Sequence, residues 1–138
     1  MKKLKSWWIL FLIMLTGCSG QEEQLTRMDV QKVNEEGMYE EEIIISEKET
    51  INLLRNSLEK VKWEPNTKAE MSRKEDVLAT LFYTFDKNMP ERLYEYRIWF
   101  NPNETSTIIS NNEKEGYGTL DEENTKVIKK AFSMSSED

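Results

Sequence analysis

Histidine is absent from all 138 residues, and cysteine occurs once, at position 18. Without imidazole, serine–histidine and cysteine–histidine nucleophile pairs cannot be assembled, and the usual zinc ligand sets are missing as well. A basic excess is lacking too. The formal net charge is −7, and Lys2, Lys3 and Lys5 are the only charged residues before Cys18. From Cys18 onward 16 basic residues face 26 acidic ones, a formal charge of about −10. A body of that sign does not seek nucleic acid, whose phosphates demand a basic face. Anionic lipid head groups would repel it, so membrane attachment has to come from something other than surface charge. The apolar run at residues 7–15 is too short for a span, because a helix needs roughly 20 residues to cross the hydrocarbon core. What is present is 33% charged and 10% aromatic residues at a mean hydropathy of −0.72. That composition and length fit one folded, soluble domain.

Residues 1–17, MKKLKSWWILFLIMLTG, have a lysine-rich start, an apolar run and then small or polar residues. That is the order of a secretory signal peptide. The segment Leu15, Thr16, Gly17, Cys18 resembles a bacterial lipobox. The resemblance implies that Leu15, Thr16 and Gly17 are the signal-peptidase recognition positions. It also implies that the Cys18 thiol carries diacylglycerol and becomes the first residue of the mature chain. Two long acyl chains hold a soluble domain almost irreversibly, since each buried methylene contributes about 0.8 kcal/mol. The expected organisation is a signal peptide over 1–17, a lipidated cysteine and flexible tether over 18–24, one domain over 25–134 and a frayed tail over 135–138. The expected location is the extracytoplasmic face of the cell membrane, with the membrane itself as partner through Cys18.

Beyond the tether, residues 25–33 alternate loosely as a first strand, and NEEG follows as a turn. YEEEIIIS, residues 39–46, reads as a second strand. Ser46 and Glu49 have the spacing of a capping box. Ile51, Leu54, Leu58 and Val61 then recur on one helical face, predicting a helix from Glu47 to Lys62 that stops before Pro65. Residues 66–76 are a polar loop. In DVLATLFYTFD, Val77, Ala79, Leu81, Tyr83 and Phe85 share a face; in LYEYRIWF, Tyr94, Tyr96, Ile98 and Phe100 oppose Glu95, Arg97 and Trp99. With TSTIIS these segments form an antiparallel meander. Asp121 caps a terminal helix with Val127, Ile128, Ala131 and Phe132 on its apolar stripe. The fold class is α+β: an antiparallel sheet of about four to six strands with two helices packed on one face.

Chemistry is sparse in this pattern. Ser57 and Lys60 match S-x-x-K, but in mid-helix and without the companion motifs. Glu40, Glu41, Glu42, Glu47 and Glu49 form an acidic cluster without a calcium-loop pattern, and strand alternation splits them between faces. Trp99 beside Arg97 on the face away from the core is a candidate interaction patch, unless a neighbouring element covers it. No metal ligands or cofactor motif are found.

The lipobox, the helix ETINLLRNSLEKVKW, the strands DVLATLFYTF and LYEYRIWF, and EGYGTLDEENTKVIKKAF together resemble small Bacillus-type lipoproteins with a YhfM-like domain. Tyr96 with Trp99, and Tyr117 through Leu120, stand at the positions of that family's tyrosine–tryptophan and tyrosine–leucine elements. The second element is one residue longer here, and the family's proline-rich loop is reduced to Pro65. The resemblance implies an α+β fold and a Gram-positive membrane location, and it brings no catalytic residues. The expectation from sequence is therefore a non-enzymatic, membrane-anchored lipoprotein domain binding an envelope protein or cell-wall component. The alternatives are a small-ligand carrier or sensor and a carboxylate-based cell-wall hydrolase.

Overall fold

The computed structural model describes residues 23–134. Among them are seven strands and two helices. The strands are β1 (Gln24–Lys32), β2 (Ile43–Ile45), β3 (Lys62–Glu64), β4 (Val77–Thr84), β5 (Arg92–Phe100), β6 (Ser106–Ser110) and β7 (Tyr117–Leu120); the helices are α1 (Lys48–Leu58) and α2 (Glu122–Met134). One sheet holds all seven strands in the order β2-β1-β4-β5-β6-β7-β3, and every pairing is antiparallel. The α+β class is as expected, with one strand more than the expected range because Lys62–Glu64 and Tyr117–Leu120 also join the sheet.

Period-two patterning sets the register. Val30 lies opposite Ala79, Ala79 opposite Tyr96, Val77 opposite Ile98 and Ile98 opposite Ile108. Slipping any strand by one residue would turn this row to the other side of the sheet. Ile51, Leu54 and Leu58 of α1, with Ile128, Ala131 and Phe132 of α2, close the same cluster from above. Both helices thus cover one face, and they also touch each other. Each such side chain contributes roughly 1.5–3 kcal/mol on burial.

The chain reaches the far edge by carrying α1 across this face. β3 then pairs with β7, Trp63 opposite Gly118. A Cβ on Gly118 would lie 2.5 Å from Val61 Cγ1 and 2.6 Å from the Trp63 ring, so the close fit requires glycine.

Three local expectations change. The second strand shortens to Ile43–Ile45. The capping box does not form: the helix N-cap is Glu47, still extended, without a side-chain cap hydrogen bond. Ser46 lies one residue too early for its hydroxyl to serve the first turn. The helix ends at Leu58 rather than Lys62, because Lys62–Glu64 is drawn into the sheet edge. At the other helix the expectation holds, with the Asn124 N–H donating to Asp121 Oδ1 at 2.8 Å. No helix among the described residues is long and apolar enough to cross a membrane.

Candidate functional site

On the helix-covered face, the β6–β7 connection brings a carboxylate to the edge of the core. Its backbone is pinned at Asn112, whose carbonyl accepts from the N–H groups of Glu115 and Gly116, each at 3.0 Å. Gly116 turns the chain at φ +67°, a left-handed conformation that glycine takes without strain. Glu115 is thereby fixed beside β5. Tyr96 donates its hydroxyl to both carboxylate oxygens at 2.9 Å, and Ser110 donates to Oε1 at 2.8 Å. The salt bridges among the described residues do not include Glu115. An ionised carboxylate offers about four lone-pair sites, so two hydroxyl protons leave acceptor capacity for a further donor.

That capacity adjoins a cavity of about 210 Å³, lined by Glu115, Tyr96, Tyr83, Trp63 and the end of α1, with Arg55 and Glu59 at its side. Trp63 meets Tyr96 edge-on at 5.6 Å between ring centroids. Burial, reinforced by the neighbouring Tyr83 and Glu115, pushes the Tyr96 hydroxyl far above its ordinary range. Burial, with Glu115 and Glu23 nearby, pushes Tyr83 up to about 12. Both phenols therefore hold their protons at neutral pH and act as donors.

The opposite face carries a second carboxylate–tyrosine cluster. Glu75 is 2% exposed. It accepts from Tyr39 Oη at 2.7 Å and from Arg97 Nε at 2.6 Å. Burial alone would raise this carboxyl, but the Arg97 and Tyr39 hydrogen bonds outweigh it and hold it below its usual range. Next to it, burial likewise opposes ionisation of Asp76, yet Arg73 and the Phe100 N–H keep it lowered. A larger cavity of about 570 Å³ opens nearby between α2 and this loop. Two of its three cations are engaged, Arg73 forking onto Asp76 and donating to the Phe100 carbonyl and Lys129 lying 4.8 Å above the Phe100 ring; Lys32 is the third.

The sequence-predicted residues are distributed differently from the expectation. Arg97 and Trp99 do adjoin, the guanidinium 5.0 Å over the indole. Trp99, however, is 0% exposed, and its Nε1–H donates to the Arg73 carbonyl at 2.9 Å. The candidate interaction patch is corrected accordingly: the polar loop before β4 folds over Trp99, satisfying both its apolar ring and its one donor. Trp99 is a buried wall, and Arg97 is the exposed half of an ion pair. Ser57 of the S-x-x-K match is buried in α1. Among the described residues no group of three carboxylates could hold a metal ion. Leu15, Thr16, Gly17 and Cys18 lie outside the described residues.

The Tyr96–Glu115–Ser110 arrangement was not anticipated from sequence. One signal was available: a tyrosine on the inward face of a strand needs a partner for its hydroxyl, and NNEKEG is the acidic turn within reach.

No family model and no curated protein matches the chain. Among solved structures, a thioesterase-like protein from Clostridium sporogenes ATCC 15579 is similar, with a TM-score of 0.51 at 23% identity over 78% of this chain and 94% of that one. This likeness shows a shared fold. It overturns the expectation of a non-enzymatic binding domain, because the protein sharing the architecture is thioesterase-like. Lack of histidine and cysteine had excluded only some nucleophiles, and a carboxylate-based hydrolase had stood among the alternatives.

Proposed function

We propose that this chain hydrolyses acyl thioesters or oxygen esters, with Glu115 as general base. The observation that carries the reading is the Glu115 carboxylate. It is oriented by Tyr96 and Ser110, forms no salt bridge among the described residues and opens on an aromatic-walled cavity. The fold shared with a thioesterase-like protein supports it. In the proposed reaction Glu115 takes a proton from water as the water oxygen bonds to the acyl carbon. The carbonyl electron pair moves onto oxygen, where the protonated Tyr83 can donate. Collapse breaks the bond to the thiolate or alkoxide, which receives the proton from Glu115. A positioned base of this kind contributes about 10²–10⁴-fold, and an oxyanion donor about 10²–10³-fold.

The test is hydrolysis of butyryl-CoA and p-nitrophenyl butyrate by the purified chain. Turnover should be present and fall at least a hundredfold in Glu115→Gln, which keeps the side chain's size. No turnover, or turnover indifferent to Glu115→Gln, defeats the reading.

The location belongs to the same proposal. The LTGC segment supports lipidation at Cys18 and anchorage on the extracytoplasmic face, in keeping with the resemblance to YhfM-like lipoproteins. Cys18→Ser in a Gram-positive host should abolish fatty-acid labelling and release the mature chain from membranes; labelling that persists contradicts it.

A further inference from the structure

The cavity holding Glu115 is bounded on one side by Glu23, the first described residue. A second cavity of about 430 Å³ lies beside it, lined by Gln24, Leu25 and Thr26 of β1 and by Lys48, Ile51 and Asn52 of α1. Arg55 lines both. Both lie between the start of β1 and α1, with Arg55 as their shared wall. The Glu115 cavity alone is smaller than the roughly 300–1,000 Å³ of ordinary ligand pockets, and the second cavity falls within that range. Arg55 spends one donor on Asn52, at 2.8 Å. A guanidinium has five N–H donors in a fork that matches phosphate; Lys48 adds a second positive charge on the second cavity, whose lining has no carboxylate, while Glu23 and Glu59 line the first.

Cys18 precedes Glu23 by five residues. Five extended residues span at most about 18 Å. A diacylglycerol on Cys18 would thus hold Glu23, and the Glu115 cavity that it lines, near the bilayer surface. We infer that the substrate is an acyl ester of a membrane phospholipid, its carbonyl at Glu115 and its phosphate on Arg55 and Lys48. This rests on the hydrolase reading and on the Cys18 anchor. Water adds to the acyl carbon and the ester C–O bond breaks, giving a fatty acid and a lysophospholipid, with the proton returned from Glu115 to the leaving alkoxide.

The experiment uses the lipidated full-length chain in vesicles containing a phospholipid with a labelled acyl chain. Matched vesicles carry the label in diacylglycerol, and p-nitrophenyl butyrate serves as the soluble ester. A variant carries 20 Gly/Ser residues inserted after Gly20. The phospholipid should be cleaved at least tenfold faster than diacylglycerol. The insertion should slow phospholipid cleavage about tenfold, since effective concentration falls roughly as the −3/2 power of tether length, while leaving soluble-ester turnover unchanged. Soluble-ester turnover without phospholipid cleavage overturns the inference and leaves the hydrolase reading standing. Equal cleavage of the two lipids, or phospholipid cleavage indifferent to the insertion, does the same. Absence of turnover on every substrate overturns both.

Discussion

Two carboxylates in this molecule are each held by a tyrosine hydroxyl, on opposite faces of one sheet, and their surroundings divide them. Glu75 faces away from the helices, buried, with Tyr39 on one oxygen and the Arg97 guanidinium on the other. Its charge is matched, and the loop that bears it lies against Trp99. Glu115 faces the helix side with two hydroxyl donors, an adjoining cavity and no ion pair among the described residues. A carboxylate with its charge matched fastens structure, whereas one oriented by neutral donors with acceptor capacity left can move a proton. Tyrosine contact alone does not tell the two apart; the partner on the remaining side does.

The largest effect expected on the fastening side is from Trp99→Ala. Removing a fully buried indole from beneath the loop should cost about 3–5 kcal/mol, measured by denaturant unfolding. A loss below about 1 kcal/mol would mean that the loop does not seal this face.

A smaller effect separates the clusters by pH. Glu75 and Asp76 are lowered in the folded chain. Their contribution is complete above the unfolded carboxylate range, about 4, and is lost as pH falls through the lower folded values. Tyr83 and Tyr96 are raised. Their contribution is complete below about 10 and is lost as pH rises toward the folded values. Acid destabilisation should therefore shrink in Glu75→Gln, and alkaline destabilisation should shrink in Tyr83→Phe. Identical pH profiles for both variants and the parent chain would erase the distinction.

Sequence made the faces legible. Alternation in DVLATLFYTF and LYEYRIWF placed Ala79, Tyr96 and Ile98 inward and Arg97 and Trp99 outward, as observed, because a strand's parity is a local property. It could not show that residues 66–76 fold back over Trp99, since that loop has no periodicity to report its position. The β3 strand was hidden for a related reason: at three residues it is too short for alternation to register, and its place was set by pairing with β7, far along the chain. The site stayed out of view because Tyr96 read as core and Glu115 as turn, and only the fold closes 19 residues of separation into a hydrogen bond.

The central claim is tested most directly by one paired measurement, butyryl-CoA turnover and unfolding free energy for Glu115→Gln and Glu75→Gln alongside the parent chain. Glu115→Gln should lose at least a hundredfold in turnover and no more than about 1 kcal/mol in stability. Glu75→Gln should keep its turnover and lose about 1–3 kcal/mol. Turnover surviving Glu115→Gln, or falling equally in both variants, would contradict the division between a working and a fastening carboxylate.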